Sequence, residues 1–204
     1  MKIVKGFRDI LPYGNKDSDS TSRWNNVNNQ LRQVMSLFNF EEIITPVIEY
    51  DSTFKTGIGE DTDIVSKEMY EFKLEKDNES KSKSQTLKYC LRPEGTAPIV
   101  RSVVENSLNK IKSINKLFYL GPMFRYERSQ KGRYRMFHQV GAELIGSGDI
   151  LYEIEILNLA LNIIKKIDIE DFTFEINSIG NKESLINISN AVIEFGKKNQ
   201  STID

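Results

Sequence analysis

The chain has 204 residues, 39% hydrophobic and 28% charged, with a formal net charge of −1. That is enough for one sizeable domain, or one and a fraction, of soluble globular character. No stretch approaches the roughly 18 apolar residues of a membrane span, no apolar signal core follows Met1, and a single cysteine and a single histidine argue against a disulfide, a multi-cysteine metal site, a zinc site or a histidine-based triad. An intracellular, cytoplasmic compartment follows.

Residues 3–14 read as an irregular lead-in. Trp24, Val27, Leu31, Val34, Met35 and Phe38 then recur at helical spacing, with Ser20 or Thr21 as the cap. Ile43 to Tyr50 reads as a strand interrupted by Pro46, hence an edge strand or one that meets an interface. Gly57 and Gly59 break the chain. Met69–Leu74 and Thr86–Leu91 read as a hairpin around the polar, low-complexity stretch Glu75–Gln85. Cys90, mid-strand, reads as a small buried apolar residue. Thr96 starts a helix whose inner face is expected to carry Ala97, Val100, Val103, Val104 and Leu108.

Leu117–Glu127 and Arg135–Ile145 read as two long strands joined by a basic loop. Arg125, Arg128, Lys131, Arg133 and Arg135 against Glu127 leave a net +4 in eleven residues of a nearly neutral chain. An anionic partner, a polyphosphate or a nucleic acid, fits such a loop. On the return strand, His138, Val140, Ala142 and Leu144 share one face and Phe137, Gln139, Gly141, Glu143 and Ile145 the other. The first is a core face, and His138 is expected to be packed and hydrogen-bonded within it. The second reads either as the floor of a small-molecule site, with Gly141 leaving room for an approach to the backbone, or as a solvated sheet face. Asp149 caps an apolar helix through Ile164. Phe172, Phe174 and Ile176 alternate as a strand, and Leu185, Ile188, Val192 and Phe195 mark a last helix. Helices on an antiparallel sheet give an α+β class. The chain stops just after a helix and looks cut.

Several stretches together carry a family resemblance. Gly121–Glu143 resembles the second signature motif of class II aminoacyl-tRNA synthetases, in the form used by histidyl-tRNA synthetases. Lys5–Pro12 is similar to that family's N-terminal signature and Thr45-Pro46-Val47-Ile48-Glu49 to the first class II motif, whose proline lies at a dimer interface. Gly59–Tyr70, Leu91–Thr96 and Asn177–Gly180 match in the same order. Ser129 and Met136 depart from the usual residues. The resemblance implies that residues 1–204 form part of a class II catalytic domain, with the third motif, a later histidine-pocket segment and the anticodon-binding domain beyond it.

The implied reaction is attack of the L-histidine carboxylate on the α-phosphate of ATP, with Mg²⁺ held mainly by the phosphates, then transfer of the acyl group to tRNA(His). The substrate supplies the nucleophile, so the protein supplies position and positive charge. By the resemblance, Arg125 holds the α-phosphate and the substrate carboxylate, Glu127 meets the adenine amino group, Arg133 the outer phosphates, and Phe137 stacks on adenine. Glu94, Gly95 and Thr96, with Gln139, surround the ammonium. Glu143 binds the imidazole. Arg128, Gln130 and Lys131 meet the acceptor end of tRNA. Blander readings make Arg125 and Glu127 a surface ion pair, Glu94 a helix N-terminal carboxylate and the loop tip solvated. The family also implies a homodimer. Alternatives to the synthetase are a histidine-sensing regulatory subunit of ATP phosphoribosyltransferase and a non-catalytic RNA-binding remnant. The piece alone is expected to bind ATP weakly and not to charge tRNA.

Overall fold

The structure, a computed structural model, describes residues 1–14, 20–59, 62–73, 88–128, 130, 132–177 and 180–199. The low-complexity stretch Glu75–Gln85, its flanks to residues 74 and 87, and Lys131 lie outside the described residues. The chain divides into a unit from Met1 to Ile169 and a second from Glu170 to Asp204.

In the first unit, α1 runs from Thr21 to Leu37 and starts where Ser20 accepts from the Arg23 N–H. Its stripe buries Leu31, Val34 and Met35. Of the expected strand at Ile43–Tyr50 only Ile48–Tyr50 is one (β2), and a short strand, β1 (Glu41–Glu42), precedes it in a different sheet. Pro46 lies between them; without an N–H it cannot continue a ladder. α2 (Asp51–Ile58) and a π-helical turn (Ile64–Glu68) lead to β3 (Tyr70–Phe72) and β4 (Tyr89–Leu91). These two pair antiparallel, as expected, and β2 pairs on the other side of β4.

α3 (Thr96–Glu105), α4 (Leu108–Ile111), β5 (Asn115–Phe124), β6 (Met136–Ile145) and α5 (Ile150–Lys166) complete the unit. β5 and β6 pair antiparallel over their full length, Gly121 opposite Gln139 and Tyr119 opposite Gly141. β1 pairs parallel to β5. Among the described residues β6 pairs on one side only. The class is α+β, antiparallel except for β1.

Alternation along β5 places one core on each face of this sheet. Phe118 packs with Val34, Met35, Phe40 and Leu159, joined by Val140 and Ala142, so α1 and α5 cover that face. Leu117, Tyr119 and Met123 pack with Ile99 and Val103 of α3, joined by Phe137 and Ile145. A third cluster, Phe54, Val65, Cys90 and Ala97, sits beside the β2–β4–β3 sheet. α3 corrects one expectation: Ala97, Ile99 and Val103 are buried, whereas Val100 and Val104 point outward, 45% and 72% exposed. At about 100° per residue, the packed stripe runs through Ile99 and Val103, and Val100 and Val104 fall beside it. With Pro46, Tyr50 and Glu49 they line a groove of about 770 Å³, floored by the Glu49–Arg101 ion pair.

In the second unit, α6 (Lys182–Lys198) is capped by Asn181, which accepts from the Ser184 N–H at 2.9 Å. The expected strand at Phe172–Ile176 is not one. Its residues join no ladder among the described residues, and Ile176 is 68% exposed. Alternation marks a face to bury, but it makes a strand only where an edge accepts it.

Candidate active site between the α3 N-terminus and the β5–β6 sheet

Chain geometry brings the predicted residues to one side of the β5–β6 sheet. Gln139, Gly141 and Glu143 share a face of β6, opposite the face of Val140 and Ala142. The start of α3 packs over that side. Thr96, at the first helical position, donates its hydroxyl proton to Glu143 Oε1 at 2.7 Å. Burial, and Glu94 nearby, hold the Glu143 carboxyl above its ordinary range, and the Thr96 bond only partly offsets this. Gln139 Oε1 is buried and accepts no hydrogen bond among the described residues. Such an orphaned acceptor is costly unless a ligand supplies a donor.

Glu94 is buried and fully engaged. Its Oε2 accepts from the Thr96 N–H at 2.6 Å and its Oε1 from the Ala97 N–H at 2.9 Å. Pro98 has no N–H to satisfy, and the Ile99 N–H bonds the Gly95 carbonyl. Glu94 therefore closes the open end of α3. The blander reading of this carboxylate operates, and each oxygen retains capacity for a second donor.

Sequence reading missed Tyr119. Its ring is 4% exposed and lies against two glycines. A Cβ on Gly95 would come within 2.3 Å of it, and one on Gly141 within 2.4 Å. Gly141 thus makes room for a side chain of the protein, not for a ligand at the backbone. Burial pushes the Tyr119 phenol up to about 12, with Glu143 acting in the same direction. The signal in the sequence was a bulky residue in a doubly buried strand facing a lone glycine on its partner.

The other half of the site lies at the strand ends. Arg125 follows β5 directly; its Nε donates to the Pro93 carbonyl at 2.9 Å, and its guanidinium sits 5.1 Å from the centre of the Phe137 ring. Arg125 is thereby anchored to the loop that carries Glu94. Glu127 pairs with Arg133, at 3.3 Å, rather than with Arg125. Its Oε2 is buried and makes no hydrogen bond among the described residues. Arg133 itself is 65% exposed. The basic loop is less free than its charge count suggests: Arg135 stacks on Tyr126 at 4.2 Å and donates to the Glu127 carbonyl. Arg128 and Gln130 are exposed.

A second missed residue ties the halves together. Arg92 is 6% exposed. Its Nε donates to the Pro122 carbonyl at 3.0 Å, and its Nη1 to the Thr45 carbonyl at 2.9 Å and hydroxyl at 3.1 Å. Its backbone bonds Val47 and Phe124. Gly121 lets the guanidinium in, since a Cβ there would meet Nη2 at 2.5 Å. Burial lowers the Arg92 pKa. His138 lies on the opposite sheet face as expected, but it is exposed and meets the edge of Trp24 at 4.8 Å rather than packing inside. Val140 and Ala142 on the same face pack into the core, whereas His138 lies in a groove beside Arg23, Trp24 and Val27 of α1. No cluster of three or more metal-ligating side chains occurs among the described residues.

The family model for histidyl-tRNA synthetase matches residues 6–195. The chain belongs to the histidyl-tRNA synthetase family. It is 38% identical to the histidine–tRNA ligase of Gloeothece citriformis over 96% of this chain and 42% of that protein. The apo crystal structure of S. aureus histidyl-tRNA synthetase superposes with a TM-score of 0.71 at 29% identity, over 100% of this chain and 44% of that one. An ATP phosphoribosyltransferase regulatory subunit/histidyl-tRNA synthetase from Bacillus halodurans shares the fold, with a TM-score of 0.64 at 24% identity over 81% of this chain and 38% of that one. The chain spans less than half the length of the curated relatives it matches.

Proposed function

We propose that this chain contributes the first part of the active site of a histidine–tRNA ligase. The reaction is ATP-dependent activation of L-histidine to histidyl-adenylate, followed by transfer to tRNA(His). One observation carries the reading: the cleft offers acceptors where the amino acid would sit, and an arginine held beside an aromatic ring where the nucleotide would sit. Gln139 Oε1 lacks a donor and Glu143 has one oxygen engaged by Thr96. An ammonium and an imidazole N–H supply the missing donors, and a ligand without them leaves buried acceptors unmet.

In this reading Arg125, kept in place by the Pro93 carbonyl, presents its fork to the substrate carboxylate and the α-phosphate. The carboxylate oxygen attacks phosphorus, pyrophosphate leaves in line, and positive charge meets the developing negative charge. Phe137, already under the Arg125 guanidinium, offers a face to adenine. Glu127 Oε2, buried and held only by its ion pair with Arg133, accepts from the adenine amino group. Arg133 leaves Glu127 for the outer phosphates, and Mg²⁺ rides on those phosphates. Glu94, Gly95 and Thr96 frame the ammonium, and Arg128, Gln130 and Lys131 face the tRNA acceptor end. Residues 1–204 constitute part of the class II catalytic domain, and the protein works in the cytoplasm, where its substrates are. The exposed apolar residues around Pro46, with Val100 and Val104 in the same groove, suit a homodimer interface, which sedimentation equilibrium tests.

Calorimetry with ATP·Mg and histidine-dependent ATP–pyrophosphate exchange test the site. The 204-residue chain is expected to bind ATP·Mg weakly and to show no exchange. Arg125→Ala should abolish ATP binding, and unchanged affinity would count against the site. Robust exchange by the chain alone would show that these residues suffice. A histidine-sensing regulatory role has no observed contact in its favour. Retention of Arg125, Glu127 and Arg133 beside Gln139 and Glu143 favours ATP chemistry.

A further inference from the structure

The Lys5–Pro12 stretch supplies no group to the proposed reaction, and its contacts lead to the return side of the basic loop. A turn from Val4 to Phe7 is closed by the Phe7 N–H on the Val4 carbonyl at 3.1 Å, and its third residue, Gly6, has a φ of 88°. That left-handed conformation favours glycine. The turn presents the Gly6 carbonyl to the Arg135 N–H at 2.7 Å, and the Arg135 carbonyl accepts from the Arg125 N–H at 2.9 Å. Two residues beyond Gly6, the Arg8 guanidinium lies 4.5 Å from the centre of the Tyr134 ring and 5.9 Å from that of Trp24 on α1. All three residues are half-buried, and a cation over a ring keeps more of its attraction there than at a fully exposed site.

The outgoing side of the loop has its own anchor. The Tyr126 N–H donates to the Glu68 carbonyl at 2.7 Å, and the Tyr126 ring meets Tyr70 of β3 edge-on at 5.4 Å. Arg133 and Arg135 both reach back to Glu127, so they tie the two sides of the loop to each other. We infer that Arg8 is a positioning residue of the nucleotide half-site: bridging Trp24 and Tyr134, it holds the lead-in against the loop, so that the Gly6–Arg135 and Arg135–Arg125 backbone bonds persist and Arg133 stays poised beside Glu127. The inference rests on the reading of Arg125 and Arg133 as ATP ligands. A flat guanidinium, charged at any working pH, suits a place beside two rings. With the return side fixed in advance, a polyphosphate binds without first ordering it, and groups that need no immobilisation bind more tightly.

Arg8→Met keeps an unbranched apolar stem and removes only the cation. Amide hydrogen exchange followed by NMR reads the loop with no ligand present. The Arg135 amide, whose acceptor is the Gly6 carbonyl, should exchange about three- to tenfold faster in Arg8→Met, as expected for loss of a half-buried cation–π contact. The amides of Leu31 to Met35 in α1 should keep their rates, and Arg8→Lys, which restores a cation, should recover most of the protection. ATP·Mg binding by calorimetry should weaken by a similar factor in Arg8→Met and in Tyr134→Leu, and Arg8→Met should add little in the Tyr134→Leu background. A plain attraction between Arg8 and the phosphates would instead weaken binding equally in both backgrounds. That result overturns the inference, as does an Arg135 amide that exchanges at the parent rate in Arg8→Met. If the parent chain does not bind ATP·Mg, the functional reading of the site falls, while the Arg135 exchange rate still decides whether Arg8 holds the loop.

Discussion

Arg92→Met tests whether one buried guanidinium holds the two halves of the site. The substitution keeps most of the apolar stem but removes three hydrogen bonds, to the Pro122 carbonyl and to the carbonyl and hydroxyl of Thr45. Thr45 is buried, 7% exposed, so water replaces the lost donor poorly at its carbonyl. A buried acceptor left unmet costs about 1–3 kcal/mol. Thr45 sits in that range, and the half-buried Pro122 carbonyl lies at its lower end. The charge need no longer be desolvated, which offsets part of the loss. A net destabilisation of about 2–4 kcal/mol follows from these opposing contributions. Urea unfolding followed by Trp24, the only tryptophan and part of α1, reports on the first unit. Gly121→Ala supplies the control, because its Cβ would meet Arg92 Nη2 at 2.5 Å. That overlap should cost about 1–3 kcal/mol in the parent chain and much less in the Arg92→Met background, where the guanidinium is gone. The double-mutant cycle should therefore show a coupling of about 1 kcal/mol or more. A loss below about 0.5 kcal/mol for Arg92→Met, the size of an ordinary surface change, or strict additivity with Gly121→Ala, would refute the reasoning.

Glu94→Ala strips the cap from α3 and should destabilise the first unit by about 1–2 kcal/mol in the same unfolding assay; an unaffected midpoint would leave the cap without energetic weight. Glu143 is held above its ordinary range by burial, so the folded chain binds its proton more tightly than the unfolded one. Its contribution is fully present at low pH and is lost as pH rises through the raised value. Glu143→Gln, which can still accept from Thr96, should therefore flatten the decline of stability toward neutral pH while abolishing histidine binding; a variant less stable than the parent at pH 7 contradicts this. Cys90 is fully buried and its thiol is pushed up to about 12. Ellman's reagent at pH 8 should leave it untouched in the native chain and label it after denaturation, and fast native labelling would contradict that burial.

Much of this site could be read from side-chain periodicity, and what could not has identifiable causes. β6 is long enough for strict alternation, so the separation of Phe137, Gln139 and Glu143 from Val140 and Ala142 was legible. α3 was placed correctly but rotated, because valines at 100 and 104 look as apolar as isoleucine at 99; only the packing against Leu117 and Met123 distinguishes them. Pro46 announced an interruption without saying that the chain would change sheets there. Phe172–Ile176 shows the reverse: local alternation with no ladder to join. Tyr119 and Arg92 were missed for a shared reason. Each depends on glycines distant in sequence, Gly95 and Gly141 for one and Gly121 for the other, and such close approaches exist only once the strands are in register. Glu94 was seen as a ligand or a cap, and the geometry shows the cap, with both oxygens on the first N–H groups of α3.

The bare outer rail of β6 has a practical consequence. Alternate residues of β6, between Met136 and Ile145, hold their amides and carbonyls toward a side where no described strand meets them, the others being turned to β5. Such a rail templates whatever extended peptide comes near, and the strand beneath it carries the Gln139 and Glu143 side chains. Concentrated preparations of this chain would then tend to zip together along that rail, and a short peptide annealed there would keep them dispersed while leaving the cleft open to ligand.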